Sequence, residues 1–339
     1  MVRSELIVDL GAIRRNARTL LTVLETAELW AVVKADGYGH GATDVARAVL
    51  AEGATVLCVA TVPEGIALRS AFGEARILVM GPGSSGEIAE AREAQLELVV
   101  ADGNVPEGVC VHLKVDTGMG RWGLSELPSP SRQVIGLMSH LASADCDGEF
   151  TRLQIERFAR ATEPYAHLTR HLANSAGALR LPDSRFDAAR CGIAIYGLSP
   201  FGENPAADGL EPALRWDSQL AQVKLLQPGE STGYGRRYVA ERPTWIGIVP
   251  VGYADGFRRD LTGTHVGVAG ERRQVVGTVS MDAFAVELEH RLPVGTPVTL
   301  LGEGIAAEAH ARVAGTITYE LVTGINRSPE RARRQVVDG

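Results

Sequence analysis

WAVVKADGYGHGATDVARAVLAEGATVLCVA, residues 30–60, places two short apolar runs on either side of a glycine-rich turn and a helix-like stretch. WAVVKA (30–35) and TVLCVA (55–60) are rich in β-branched residues. Continuous apolar runs of this kind suit strands of a parallel sheet buried on both faces. ATDVARAVLAE, between them, spaces its apolar residues as a helix does. Strand, helix, strand in that order is the repeating unit of a parallel α/β fold.

The same texture continues along the chain. ARILVMG (75–81), LELVVA (96–101), VCVHLKVD (109–116), VIGLMSH (134–140), RHLAN (170–174) and AARCGIAIYG (188–197) are runs of the same kind. IRRNARTLLTVLE, VPEGIALRSAF, SGEIAEAREA and FTRLQIERFARATE read as helices. Eight strand candidates with helices between most of them predict a (β/α)8 barrel. Two connections are too short for a crossover helix. Only ADGNVPEG separates the fourth and fifth runs, and residues 121–133 contain Pro128 and Pro130. The outer helical ring is therefore expected to be incomplete on one side. Beyond about residue 215, TWIGIVPVGYADG, HVGVAG, RQVVGTVSMDAFAVELE and TPVTLLGE change the texture to glycine-punctuated strands. The expected organisation is α/β, with a barrel over residues 1–215 and a mostly β domain over 216–339.

Bulk properties exclude several classes. A net charge of −7 argues against a nucleic-acid surface. The basic stretch Arg327 to Arg334 reads as a solvated tail. MVRSELIVDL lacks the pattern of a signal peptide, and no run approaches a membrane span, so a cytoplasmic protein is expected. Cys58, Cys110, Cys146 and Cys191 form no C-x-x-C pair and read as buried free thiols. No cluster has metal-ligand spacing, so no metal is expected.

In a barrel the chemistry sits at the C-terminal ends of the strands. The polar residues there are Lys34, Asp116, Arg121 just beyond, His140, Asn174 with Ser175, and Arg190. A lysine closing an apolar strand lies near a low-dielectric interior, which favours the neutral amine that Schiff-base chemistry needs. Tyr38 follows it in a turn whose glycines allow close approach to a ligand. Loops after the last two strands often hold phosphate on barrels. Here they offer Ser175 and the amides of Gly192 and Ile193.

AVVKADGYGHGA, KVDTGMGRWG, GLMSHLASAD, HLANSAG, RCGIAIYG, GYGRRY, VPVGYADG, VSMD and TITYE occur in the order seen in alanine racemases, which the chain resembles over nearly its whole length. The resemblance implies a pyridoxal 5'-phosphate enzyme of the fold-type III class. It would interconvert L-alanine and D-alanine and supply D-alanine for cell-wall peptidoglycan. Lys34 would carry the cofactor and act as one base. Tyr234 would be the opposing base, supplied by the second subunit of a homodimer with shared sites. Arg190 would face the pyridine nitrogen, supported by His171, with His140 beside the ring and Asn174 in support. Tyr38, Ser175, Gly192, Ile193 and Tyr319 would hold the phosphate. Arg121, oriented by Lys114 (carbamylated in some of the family), would position Tyr234 and the substrate carboxylate. Met281 and Asp282 would complete the substrate pocket from the partner, with Tyr253 and Asp145 at its entrance.

Racemisation removes a proton on one face and returns it on the other, so two bases suffice. A phenol, with an ordinary pKa of about 10, needs cationic neighbours to act as one of them. An arginine at the pyridine nitrogen weakens electron withdrawal and so limits side reactions. The chain departs from the family pattern at Cys191, where proline is usual, and at Thr278, where arginine is common. RSPERARR replaces the family's R-V-P-R tail. The entrance change leaves room for an alternative: a racemase of serine or another small amino acid in a biosynthetic pathway. A decarboxylase of the same barrel class is disfavoured by Arg190. A non-catalytic carrier of the cofactor is disfavoured by the second domain.

Overall fold

A computed structural model describes residues 3–339, which form two compact units. One comprises Ile13–Phe201 and Pro205–Glu211; the other comprises residues 3–12, Gly202–Asn204 and Pro212–Gly339. The chain opens with β1 (Glu5–Asp9), which runs directly into α1 (Leu10–Leu24).

The first unit is a closed parallel barrel. Its strands are β2 (Glu28–Val32), β3 (Val56–Val59), β4 (Arg76–Val79), β5 (Glu97–Val100), β6 (Val111–Lys114), β7 (Val134–Met138), β8 (Thr169–His171) and β9 (Ala188–Cys191). All eight apolar runs of the sequence supply one strand each. β9 returns to pair with β2, Trp30 opposite Arg190 and Ala31 opposite Cys191. Between strands lie α2 (Ala42–Glu52), α3 (Val62–Ala71), α4 (Ser85–Glu93), α5 (Gly148–Thr162) and α6 (Ser175–Arg180). Thr61 and Ser84 open α3 and α4 with reciprocal capping boxes to Glu64 and Glu87. Among the described residues no helix joins β5 to β6 or β6 to β7. The gap in the helical ring is where the two short connections place it.

The second unit holds β10 (Leu214–Gln219), β11 (Gln222–Leu226), β12 (Ser231–Thr232), β13 (Tyr238–Val239), β14 (Thr244–Val249), β15 (His265–Val268), β16 (Glu271–Val276), β17 (Phe284–Leu288) and β18 (Pro297–Leu301). Then follow α7 (Ala307–Ala314), α8 (Thr318–Thr323) and β19 (Arg333–Val337). Nine strands form one sheet in the order β11-β14-β17-β16-β15-β18-β10-β1-β19, and β12 pairs with β13. β1 thus belongs with this sheet, antiparallel to β10 and parallel to β19, whereas the sequence placed residues 1–215 in the barrel. The reason is its pattern: Leu6 and Val8 are buried while Glu5, Ile7 and Asp9 are half-buried. That alternation suits a sheet with one covered face.

Two further expectations change. The basic C-terminal stretch is built into the fold: Arg331 pairs with Asp282 at 2.6 Å, and Arg333 lies in β19 within 3.4 Å of Glu5. Of the four free cysteines, Cys58 and Cys191 are buried on barrel strands, but Cys110 and Cys146 are exposed. Cys110 precedes β6, and Cys146 lies in the turn before α5, so neither shares a strand's burial.

Candidate active site

Lys34 stands just beyond the C-terminal end of β2. Burial lowers its pKa, and the cations Arg121 and Arg190 add to the effect against the opposing pull of Glu64. The amine is thereby shifted toward its neutral, nucleophilic form. Directly after it the backbone turns left-handed: φ is 52° at Ala35, 51° at Asp36, 60° at Gly37, 50° at Tyr38 and 88° at Gly39. Each non-glycine residue in that region costs about 1–2 kcal/mol. The turn is held from several sides. Glu64 accepts the Ala35 amide at 2.7 Å, Asp36 accepts the Ala42 amide at 2.8 Å, and His40 Nδ1 contacts the Tyr38 carbonyl at 3.0 Å. Backbone strain over-determined in this way marks functional sites.

The turn directs Tyr38 against β9. Its ring stacks on Tyr196 at 4.8 Å, and the Tyr196 hydroxyl donates to the Val32 carbonyl at 2.9 Å. Gly192 has no room for a side chain, since a Cβ there would fall 2.5 Å from the Tyr38 hydroxyl. Ser175 Oγ, at the start of α6, accepts the amides of Gly192 at 3.0 Å and Ala194 at 3.4 Å. Asn174 caps that helix by accepting the Gly177 amide at 3.0 Å. Ile193 begins a short 3-10 turn (Ile193–Tyr196), and a first-turn amide has no intrahelical partner. Hydroxyls and amides converging at helix starts make a cradle for an anion.

Arg190 is the hub of the barrel interior. Nη1 donates to His171 Nδ1 and the His171 carbonyl, both at 2.8 Å. Nη2 donates to the Ser139 carbonyl at 2.7 Å, to His140 Nδ1 at 3.1 Å and to the Leu172 carbonyl at 3.2 Å. Burial pulls its pKa down to about 10, which leaves it charged at neutral pH. A guanidinium has no acceptor, so His171 must accept at Nδ1 and carry its proton on Nε2. That proton points to His112 Nδ1 at 2.9 Å, and His112 Nε2 in turn donates to Glu97 at 3.0 Å. Arg76 closes the chain on Glu97 at 2.7 and 3.1 Å. Burial lowers the pKa of His112, and those of His171 and His140 fall well below the ordinary value, again through burial first. Trp30, fully buried, packs on both His112 and His171.

In the sequence His112 is one residue of an apolar strand run, and neither Glu97 nor Glu64 stands in a motif. The available signal was a polar residue inside an apolar run, Glu97 in LELVVA and His112 in VCVHLKVD. Gly136 makes room for this chain, because a Cβ there would meet His112 Nδ1 at 2.1 Å. Gly136→Ala is expected to lower stability by about 1–3 kcal/mol and to break the His112–His171 contact. Thermal melts and the imidazole 15N shifts of the variant check this.

Lys114, at the end of β6, is 3% exposed, and burial followed by Arg190 and Arg121 lowers its pKa to about 8. Among the described residues no hydrogen bond or ion pair reaches its amine; it lies 5.6 Å from the Trp122 ring, which Arg121 also faces at 5.0 Å. Only three of the chain's 34 lysine-plus-arginine residues are lysine: Lys34, Lys114 and Lys224. Arginine cannot supply a neutral amine. Two of the three, Lys34 and Lys114, lie at the ends of barrel strands.

Tyr234, Met281, Asp282 and Tyr319 lie on the second unit. Tyr234 is 73% exposed and Met281 50% exposed. The Thr278 hydroxyl donates to the Tyr234 carbonyl at 3.0 Å and so anchors the turn that presents this tyrosine. Asp282 is bound to Arg331 at 2.6 Å. Tyr319 is a half-buried residue of α8.

A barrel with an activated lysine, an anion cradle and a buried guanidinium at its strand ends is the layout of an enzyme. The sequence signature of the alanine racemase N-terminal domain matches residues 8–200, and that of the C-terminal domain matches residues 213–333. The alanine racemase of Symbiobacterium thermophilum is 40% identical, with 96% of this chain and 95% of that protein aligned. That of Beutenbergia cavernae is 42% identical, with 94% of each covered. The crystal structure of alanine racemase from D-cycloserine-producing Streptomyces lavendulae superposes with a TM-score of 0.92 at 35% identity, covering 100% of this chain and 98% of that one. The chain belongs to the alanine racemase family.

Proposed function

We propose that this chain is a pyridoxal-phosphate-dependent isomerase that interconverts L-alanine and D-alanine, supplying D-alanine for cell-wall peptidoglycan. The observation that carries the reading is the juxtaposition at the barrel mouth. Lys34, biased toward the neutral amine, shares one strand-end cluster with an anion cradle and with Arg190. These residues fit the cofactor. The amine suits its aldehyde, the Ser175 hydroxyl and the Tyr38 hydroxyl packed against Gly192 suit its phosphate, and the Arg190 charge suits its ring nitrogen. When bound, pyridoxal phosphate supplies an electron sink that acidifies the substrate α-proton.

The chain's own residues do the rest. Tyr38, Ser175, Gly192 and Ile193 hold the phosphate, joined by Tyr319. Arg190, locked by two histidines and three carbonyls, keeps its charge without a proton to give away. Arg121, beside Lys114, binds the substrate carboxylate. Met281 and Asp282 complete the substrate pocket. Lys34 Nζ moves the α-proton on one face and the Tyr234 hydroxyl moves it on the other. Tyr234 and Met281 are large apolar side chains left exposed on their own unit, which suits a surface covered by a second subunit. That exposure supports a homodimer with shared sites. Free cysteines suit a reducing cytoplasm, and among the described residues no helix is long and apolar enough to cross a membrane.

Tyr234→Phe tests the assignment. Its visible cofactor absorbance should remain, while racemisation falls by about 10²–10⁴-fold, the usual contribution of one positioned acid-base group. Unchanged turnover removes Tyr234 from the mechanism. A panel of L-amino acids run beside alanine tests the substrate; serine as the faster one overturns alanine.

A further inference from the structure

A base that moves a proton on one face must be held to within about half an ångström of its productive position. Tyr234 sits where its own backbone gives little help. Gly233 and Gly235 flank it with φ of 78° and 73°, and Arg236 follows at 49°. Glycine leaves a chain free to take either hand. The ring is exposed on its own unit. The turn that carries it joins β12 to β13 across a ladder of two residue pairs, Ser231 with Val239 and Thr232 with Tyr238.

The segment leaving β16 supplies the missing stiffness. Residues 277–279 are buried and lie against residues 232–234. A Cβ at Gly277 would fall 2.7 Å from the Thr232 carbonyl oxygen, and one at Gly233 would fall 2.9 Å from the Thr278 amide nitrogen, so the two backbones touch. At that crossing Thr278, 5% exposed, donates its hydroxyl to the Tyr234 carbonyl at 3.0 Å. A β-branched side chain is stiff at χ1, and burial leaves this one little room to turn. Arg236 adds a tie from the other side, Nη2 donating to the Gly229 carbonyl at 3.1 Å, but that side chain is exposed. We propose that Thr278 is a positioning residue for racemisation. Its hydroxyl sets the placement of Tyr234, and thereby the rate of proton transfer on that face alone. The inference rests on the reading of Tyr234 as the opposing base.

Thr278→Val keeps the shape of the side chain and loses the donor. In the holoenzyme it should lower kcat/KM for alanine about 10–100-fold, the scale of a misplacement of about 1 Å. Cofactor absorbance and melting temperature should stay near those of the parent. Thr278→Ser, which restores the hydroxyl, should recover most of the rate. α-Deuterated L- and D-alanine supply a readout that general loosening does not move. The isotope effect on kcat/KM should rise in the direction in which Tyr234 removes the α-deuteron. It should fall in the other, where Lys34 removes it and only the later transfer from Tyr234 is slow. Hydrogen exchange of residues 231–239 should quicken in Thr278→Val and not in Thr278→Ser. Parent-like turnover or unchanged exchange in Thr278→Val overturns the inference. So do isotope effects that change equally in both directions, or a Thr278→Ser as slow as Thr278→Val. Tyr234→Phe, run beside them, separates two failures. A slow Tyr234→Phe with a parent-like Thr278→Val keeps Tyr234 in the mechanism and removes Thr278; a parent-like Tyr234→Phe removes both.

Discussion

Lys34→Ala should retain no cofactor through borohydride reduction and should racemise alanine at least about 10⁴-fold more slowly than the parent enzyme. The expectation rests on two roles in one side chain. Lys34 is the amine whose surroundings favour neutrality, and it is the base on its own face of the substrate. Burial is the largest cause of its lowered pKa, with the charges of Arg121 and Arg190 next. A lowered amine pKa extends the neutral form to lower pH. Apoenzyme should therefore take up pyridoxal phosphate covalently below the pH range of an ordinary lysine. The chain has only two other lysines, so peptide mapping gives an unambiguous answer. Label on Lys34 in the parent and in Lys114→Ala, and none in Lys34→Ala, is the expected set. Stoichiometric label on Lys114 or Lys224 in Lys34→Ala would sink the assignment. The charge neighbours give a second check: Arg121→Gln should raise the Lys34 pKa toward its ordinary value and shift the uptake profile to higher pH.

The barrel was legible because burial on both faces leaves a local mark. Eight continuous apolar runs became eight strands, and the two missing crossovers could be read from Pro128, Pro130 and the brevity of ADGNVPEG. Lys34 stood out for the same reason, as a charge closing one of those runs. What sequence hides is pairing between distant segments. β1 is bounded by the chain start and α1, yet its partners are β10 and β19, more than two hundred residues away. Glu64 caps α3, a role local to its own helix. Its further bond, to the amide of Ala35, exists only because β2 and β3 are neighbours in the barrel. The link from Arg190 to Glu97 likewise depends on β9, β8, β6 and β5 facing one interior. Spacing along the chain does not encode that.

Glu97→Leu should cost about 3–5 kcal/mol and lower the melting temperature by about 10 °C, at a site on the far side of two histidines from Arg190. Glu97 is the acceptor that ends the directed chain of protons from Arg190 through His171 and His112, and it also holds Arg76. Removing it leaves the His112 Nε2 proton buried without a partner. Burial pushes the Glu97 pKa up, but hydrogen bonds from His112 and Arg76 outweigh it and bring the carboxyl down to about 2. A carboxylate depressed in this way stabilises the fold above its unfolded pKa, and the contribution, roughly 3 kcal/mol, is lost as pH falls from about 4.5 toward 2. The histidines act in the same direction at higher pH. Both are held neutral in the fold, so unfolding takes up protons below about pH 6.5, and stability falls as pH drops through that point. Melts of the parent should therefore decline in two stages on acidification. Glu97→Leu should keep the first stage and lose most of the second, with the two proteins converging at low pH. Glu97→Gln, which keeps one acceptor oxygen, should fall between them. Equal melting temperatures for all three at neutral pH would show that the chain ends elsewhere. So would 15N shifts that place the His171 proton on Nδ1, since Arg190 would then no longer set its direction.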